Sequence, residues 1–261
     1  MSEPGTSDGV VLRTTAVGES DLVVMLYTRA HGRVSAIARG ARSSRRRFGG
    51  ALGMLIVSDH VLGRRLRGGE LWSLERAIAI HDRSALAADP IALGHASYAL
   101  ELVRELTPEE TPDPAILDLV IELWDALATG PSPRALRGFE LRLCELLGSA
   151  VALDRCVGCG RGDDLDDGAV FDPARGGVVC RRCAPTSRGL GVRPLPAAAR
   201  RHLLAVAAAP LGAGGGDGEL GDDDRVAARD AMLAFVGHLV GKPLKSVAFV
   251  AQVHAGLTTR R

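Results

Sequence analysis

Residues 9–39, GVVLRTTAVGESDLVVMLYTRAHGRVSAIAR, decide the reading of the fold. They contain three β-rich runs, at 9–14, 21–28 and 32–39, bounded by Gly, Ser and His-Gly turn signals. Two more runs follow. Residues 52–62 are an apolar stretch holding Ser58, Asp59 and His60, and 71–81 carry Leu71, Leu74, Ile78 and Ile80 with charges between them. Five strands in about eighty residues, with no long helix, predict a small closed or partly open barrel, since closure removes edges that would otherwise aggregate.

From Asp82 the apolar period changes from about two to about 3.6. Asp89-Pro90 supplies an N-cap and an N1 proline for a helix running to Thr107-Pro108, and Asp113-Pro114 opens a second that Gly130-Pro131 stops. Ser132-Pro133 begins a third, through Leu147. Short loops between them predict that the three pack as a bundle. A charged, loop-rich insert occupies 154–190, helical periodicity resumes over 196–209, and 222–240 forms a last helix ending at Gly241-Lys242-Pro243. Between these two helices, 212–221 read as an exposed, mobile Gly/Asp-rich loop.

The composition is that of a folded protein, with 46% hydrophobic and 24% charged residues in 261, which excludes wholesale disorder. No window approaches the roughly 18 apolar residues of a membrane helix. Residues 1–9 lack the basic-then-apolar order of a secretory signal, so a cytoplasmic location is expected. The net charge of +1 conceals an asymmetry. Residues 1–83 hold 13 arginines and 8 acids, a balance of +5, and 84–261 hold 19 basic residues and 23 acids, a balance of −4.

The sharpest chemical signal is Cys156-Val157-Gly158-Cys159, twenty intervening residues, then Cys180-Arg181-Arg182-Cys183. Two CxxC turns, each presenting two thiolates, match a four-cysteine zinc site on a ribbon-like hairpin. Four thiolates complete a tetrahedral ion and leave no open position, which points to one structural Zn2+. Binding on the order of 10–16 kcal/mol in isolated zinc peptides would suffice to fold an insert with little core of its own. A redox role for either pair fits less well, because two pairs share one insert. Cys144, in an apolar helix, reads as a small core residue.

The second signal is basic. Arg33, Arg39, Arg42, Arg45, Arg46 and Arg47 fall within fifteen residues, and Arg64, Arg65 and Arg67 follow. Guanidinium groups bind phosphate bidentately, and Gly40, Ser43 and Ser44 let the backbone approach, so this loop suits a nucleic-acid backbone. Thirty arginines against two lysines also betray a compositional bias, under which any one Arg is merely solvated. Stacking platforms are scarce near the loop, with Tyr27, Phe48 and Trp72 the candidates, so backbone electrostatics should dominate base reading. Arg181 and Arg182 could add a second contact or serve only solubility.

Enzymatic constellations are missing. The segment 237–242 has one residue too few between its glycines for a P-loop and runs into Pro243, so it reads as a helix C-terminus. Asp163, Asp164, Asp166 and Asp167 read as solvated loop acids. The seven histidines form no HxxxH, and no HxE precedes a PCxxC, which disfavours a zinc hydrolase or a deaminase.

In order along the chain, 9–14, Gly18-Glu19-Ser20-Asp21, His31-Gly32-Arg33 through Arg45-Arg46-Arg47, the two CxxC pairs and Lys242-Pro243-Leu244-Lys245-Ser246 resemble the RecO family of bacterial DNA repair and recombination mediators. The long 212–221 loop departs from that pattern. The resemblance implies an α+β multidomain protein: an OB-fold β-barrel at 1–82, an α-helical domain at 83–261 and a zinc-binding insert at 154–190. It implies binding of single- and double-stranded DNA and annealing of complementary strands. It also implies work with RecR to load RecA on DNA coated by single-stranded DNA-binding protein (SSB), whose C-terminal tail is a further partner, in the cytoplasm at the nucleoid. DNA contact would fall to Arg33, Arg39, Arg42 and Arg45 to Arg47, with Arg64 and Arg65 beside them, and zinc ligation to Cys156, Cys159, Cys180 and Cys183. The alternative is a zinc-containing interaction scaffold without direct DNA binding.

Overall fold

The computed structural model describes residues 5–65, 71–130, 132–162, 165, 168–184, 191–213 and 220–249. Compactness divides the chain in two. One unit comprises 1–124 with 249–261, and the other comprises 125–248.

The first unit is built on five strands: β1 (Gly5–Val17), β2 (Asp21–Thr28), β3 (Gly32–Ala38), β4 (Ile56–Arg65) and β5 (Trp72–Asp82). β1, β2 and β3 pair antiparallel in sequence, and β4 pairs antiparallel with both β1 and β5. A short parallel contact of β3 with β5 closes the barrel in the order β1-β2-β3-β5-β4, the OB-like arrangement that the strand count allowed. Alternating positions fill the interior, among them Val24, Leu26, Val34, Ala36, Leu62 and Leu74. Phe48, on the single helical turn α1 (Arg45–Phe48), inserts into the same core. β4 starts four residues later than its apolar run, because Leu55 takes a left-handed conformation (φ 66°) and is buried in the turn before the strand.

Helix α2 (Pro90–Leu106) begins where the Asp-Pro signal places it: Asp89 Oδ1 accepts from the N–H of Ile91 at 2.8 Å and of Ala92 at 3.2 Å. Asp113 caps α3 (Pro114–Thr129) in the same way, accepting from Ala115 N at 3.0 Å. The segment joining the two, 107–113, is tied to the barrel. Glu110 N donates to Arg33 O at 2.9 Å, Trp72 Nε1 donates to Glu110 Oε1 at 2.9 Å, and Tyr27 Oη donates to Asp113 O at 3.0 Å. Gly32, the first residue of β3, at φ +64°, lies so close beneath this segment that a Cβ would sit 2.4 Å from Thr111 O.

The second unit holds α4 (Pro133–Leu146), α5 (Ala197–Ala207) and α6 (Asp222–Val240), with a three-stranded sheet of β6 (Val170–Asp172), β7 (Gly177–Val179) and β8 (Arg193–Pro194) in the order β7-β6-β8. Within this unit α4 packs against α5 and α6. Gly241 (φ +69°) ends α6 by donating to Gly237 O at 3.0 Å, so 237–242 is a helix terminus as read. Of the Gly/Asp-rich loop, 214–219 lie outside the described residues, as do Arg67 and Asp163, Asp164, Asp166 and Asp167.

Two outcomes follow from the barrel. Gly32→Ala forces an L side chain into a left-handed position and against backbone, so thermal melts should show a loss of roughly 2–5 kcal/mol. His60 on β4 is fully buried, and burial pushes its imidazole down to about 4 despite the opposing pull of the Ser7 backbone and Asp8. The unfolded chain therefore takes up a proton near pH 6.5 that the folded chain refuses. Stability is intact above that pH and falls by about 3 kcal/mol on descending to pH 4. Chemical denaturation of His60→Gln against wild type across pH 4–7 should show a flatter acid limb in the variant.

Candidate metal centre and nucleic-acid interface

The four cysteines converge. Their Sγ atoms all lie within 4.8 Å of one another, and Cys159 Sγ and Cys180 Sγ are 3.8 Å apart. None forms a disulfide. Two turns make this geometry. In the first, Gly160 N donates to Cys156 O at 2.8 Å and Gly158 N to Cys156 Sγ at 3.3 Å; in the second, Cys183 N and Ala184 N both donate to Cys180 O, at 3.0 and 2.9 Å. Gly158 suits the close approach of the second turn, since a Cβ there would come within 3.0 Å of Cys183 Cβ and 3.3 Å of Cys183 Sγ. The first turn is laced to the sheet by Val157 N donating to Val178 O at 2.9 Å and Cys180 N to Cys156 Sγ at 3.3 Å.

The electrostatics ask for a cation. Burial pushes the Cys156 thiol up, yet the backbone N–H groups of Cys180, Cys159 and Gly158 outweigh it and hold the group at about 6. Cys183 is pushed up to about 12, chiefly by the sulfurs of Cys180 and Cys159 beside it. A soft tetrahedral metal ion at the centre of such a donor set relieves that crowding, and the four cysteines could hold one.

The module has few core residues of its own, and they join a larger core. Cys156, Leu165, Phe171, Val178, Val179 and Cys180 share one buried cluster with side chains of α4, α5 and α6, and the Phe171 and Phe235 rings meet edge to face at 6.1 Å. Cys156 and Cys180 face this core, whereas Cys159 is exposed and Cys183 half-buried. Cys144 is buried, as read, and burial together with Glu140 pushes its thiol up to about 12.

The arginine loop joins β3 to β4, and its arginines divide by what they touch. Arg47 Nε donates to Ser44 Oγ at 3.2 Å, its Nη2 bonds Arg39 O, and its guanidinium lies 5.0 Å from the centre of the Phe48 ring. Arg42 Nη1 donates to Glu19 O at 3.0 Å. Both hold the loop in shape. Arg39, Arg45 and Arg46 are exposed and make no side-chain bond among the described residues. Arg33 stands apart: its Nε donates to Thr107 O at 2.8 Å and its Nη1 pairs with Glu109 at 3.3 Å, so it fastens the 107–113 segment. Arg64 is exposed near the end of β4, and Arg65 is placed by backbone pairing opposite Trp72.

The three aromatic candidates are all withdrawn from the surface. Tyr27 is fully buried with its hydroxyl bound to Asp113, Trp72 is 2% exposed with its indole N–H on Glu110, and Phe48 is 3% exposed. None offers a face for a base. What remains is a cationic rim suited to phosphate. Sequence reasoning missed the scaffolding parts of Arg42, Arg47 and Phe48; the only local hint was an aromatic directly after three arginines.

Similarity to known proteins extends over nearly the whole chain. Residues 1–83 match the family model described as Recombination protein O N terminal, and 87–248 match that described as Recombination protein O C terminal. A protein named DNA repair protein RecO from Anaeromyxobacter sp. (strain Fw109-5) is 37% identical over 256 residues, covering 97% of this chain and 98% of that one. Another of that name, from Myxococcus xanthus (strain DK1622), is 35% identical over 251 residues, covering 94% and 96%. A third, from Symbiobacterium thermophilum, is 36% identical over 186 residues, 70% of this chain and 72% of its own.

The inner and outer cysteines should differ in cost. Cys156→Ser or Cys180→Ser removes a ligand from within the shared core and should lower the midpoint of thermal unfolding further than Cys159→Ser or Cys183→Ser. The difference should be at least about 1–2 kcal/mol, read by thermal melts on protein whose metal content is measured by atomic emission.

Proposed function

This chain belongs to the RecO family, and from that premise we propose that it is a DNA-binding recombination mediator, acting by exchange of binding partners rather than by catalysis of bond cleavage. The observation that carries the reading is the set of exposed, unengaged guanidiniums of Arg39, Arg45 and Arg46 on the β3–β4 loop of an OB-like barrel. Neighbouring arginines brace that loop from below. With the nearby aromatics buried, attraction to phosphate supplies the affinity, so binding is tolerant of sequence and sensitive to salt. That tolerance suits annealing, which must accept any pair of complementary strands.

Within this reading the four-cysteine centre takes one structural Zn2+, the borderline-soft ion for which four thiolates and a closed tetrahedron are the common solution. It would be held by Cys156, Cys159, Cys180 and Cys183, and its bound role is to cross-link the two turns. The partners are single- and double-stranded DNA, RecR and the SSB C-terminal tail, with RecA loaded indirectly, and the protein acts in the cytoplasm at the nucleoid. No helix among the described residues is long and apolar enough to cross a membrane.

The test is a salt titration of binding to a labelled single strand. Arg45→Ala with Arg46→Ala should weaken binding for all sequences alike and reduce the slope of log K against log salt by about 0.7 per lost contact, up to about 1.4 for the pair. The same variant should slow strand annealing. An unchanged slope removes the loop from the interface, and retained RecR or SSB binding without DNA binding at low salt favours the scaffold instead.

A further inference from the structure

An acid at the foot of a DNA-binding loop is a liability. It repels the phosphates the loop must attract. Asp21 nevertheless occupies that place, as the first residue of β2. Its Oδ1 accepts the backbone N–H of Gly40 at 2.8 Å and the hydroxyl of Ser20 at 3.2 Å.

Gly40 is where the arginine loop turns. At φ +65° it takes a conformation open to glycine, and its carbonyl accepts from Ser43 N at 3.2 Å, Ser44 N at 2.9 Å and Ser43 Oγ at 3.2 Å. Ser44 in turn accepts from Phe48 N through its carbonyl at 3.2 Å and from Arg47 Nε through its hydroxyl. Fixing the Gly40 peptide therefore fixes the turn from which Arg39, Arg45 and Arg46 project. The rest of the β1–β2 turn joins in: Ser20 O accepts from Arg42 N at 3.0 Å, and Glu19 O accepts from Arg42 Nη1 at 3.0 Å. Glu19 contributes only its carbonyl, and its exposed carboxylate makes no bond among the described residues.

We infer that Asp21 is a positioning residue for DNA binding: its carboxylate oxygen locks the Gly40 turn and so pre-organises the arginines, and this outweighs the repulsion its charge exerts on DNA. The inference rests on the reading that the arginine loop meets DNA. Pre-organisation improves binding because the ordering cost is met before the ligand arrives. It also gives the Gly18-Glu19-Ser20-Asp21 stretch a function separate from starting a strand.

The two effects of Asp21 have opposite signs, which makes the inference easy to overturn. On the full chain, binding of a fluorescein-labelled oligo-dT strand is followed by anisotropy at fixed salt. Asp21→Ala should weaken it by about threefold to tenfold, the range for one lost hydrogen bond of ordinary net strength, although the variant is one charge more positive. Asp21→Asn keeps an acceptor oxygen and sheds the charge, so it should bind as well as wild type or tighter. Glu19→Gln should also bind as well or tighter. Hydrogen exchange should show the amides of 40–44 deprotected in Asp21→Ala alone. Equal or tighter binding by Asp21→Ala, or a loss in Asp21→Asn, overturns the inference; if Asp21→Ala does not fold, the Asp21→Asn affinity decides in the same sense. Arg45→Ala with Arg46→Ala runs alongside. If that control binds normally the interface itself is misplaced, whereas a weakened control with unaffected Asp21→Ala sinks only the role of Asp21.

Discussion

Two registered backbone pairs, Ala36 with Trp72 and Ile37 with Ser73, close the barrel. So short a parallel seam is a weak closure for five strands, and the protein reinforces it from outside. Where β3 lies beyond the reach of β5, at Arg33, it bridges instead to Glu109. Trp72 serves both parts of the seam: its backbone pairs with Ala36, its ring joins the barrel core, and its indole N–H reaches Glu110. The 107–113 segment is thus a working part of the barrel wall. This explains why the compact unit runs to Trp124, while the hydrophobic period changes near residue 82 and the two family models part between 83 and 87.

That closure sets the chemistry available to a ligand. A barrel with few aromatics has used Tyr27, Trp72 and Phe48 to seal its wall and fill its interior. Exposed stacking, the usual sequence-tolerant device of such barrels, is not offered by these three, and in the proposed reading charge does the same work. The compositional bias toward arginine then stops being an ambiguity. Arg33 fastens the wall segment, Arg29 joins Asp8 and Asp118, and Arg42 and Arg47 shape the loop. Against that background the unengaged Arg39, Arg45 and Arg46 are a distinct class.

The sequence revealed whatever a short window determines. Asp89-Pro90 and Asp113-Pro114 announced their helices, since a cap is an interaction between residues two or three apart. The strands followed from alternation, and the metal centre from the fixed spacing of two CxxC turns. The rest depended on distant partners. Nothing local to Arg33 tells that Glu109 will claim it, and nothing local to Tyr27 foretells Asp113, 86 residues away. The three aromatics near the loop looked like platforms because exposure is a tertiary property. That the cysteine insert has little core of its own was legible, but not that Phe171, Val178 and Val179 would join the apolar faces of α4, α5 and α6.

This sharing of the core bears on what a metal at the four cysteines would do. In a freestanding zinc module nearly all of the folding free energy comes from the ion, and its removal unfolds the domain. Here two of four ligands lie in a cluster shared with three helices, so core burial and ligation support each other. A cation held by the four sulfurs, which lie within 4.8 Å of one another, would by linkage stabilise the core of the second unit. The exposed Cys159 and half-buried Cys183 complete the shell from the solvent side, which is the side from which an ion must enter. A metal bound there would act as a clamp on a core shared with three helices, and the distinction between inner and outer cysteines follows from burial alone.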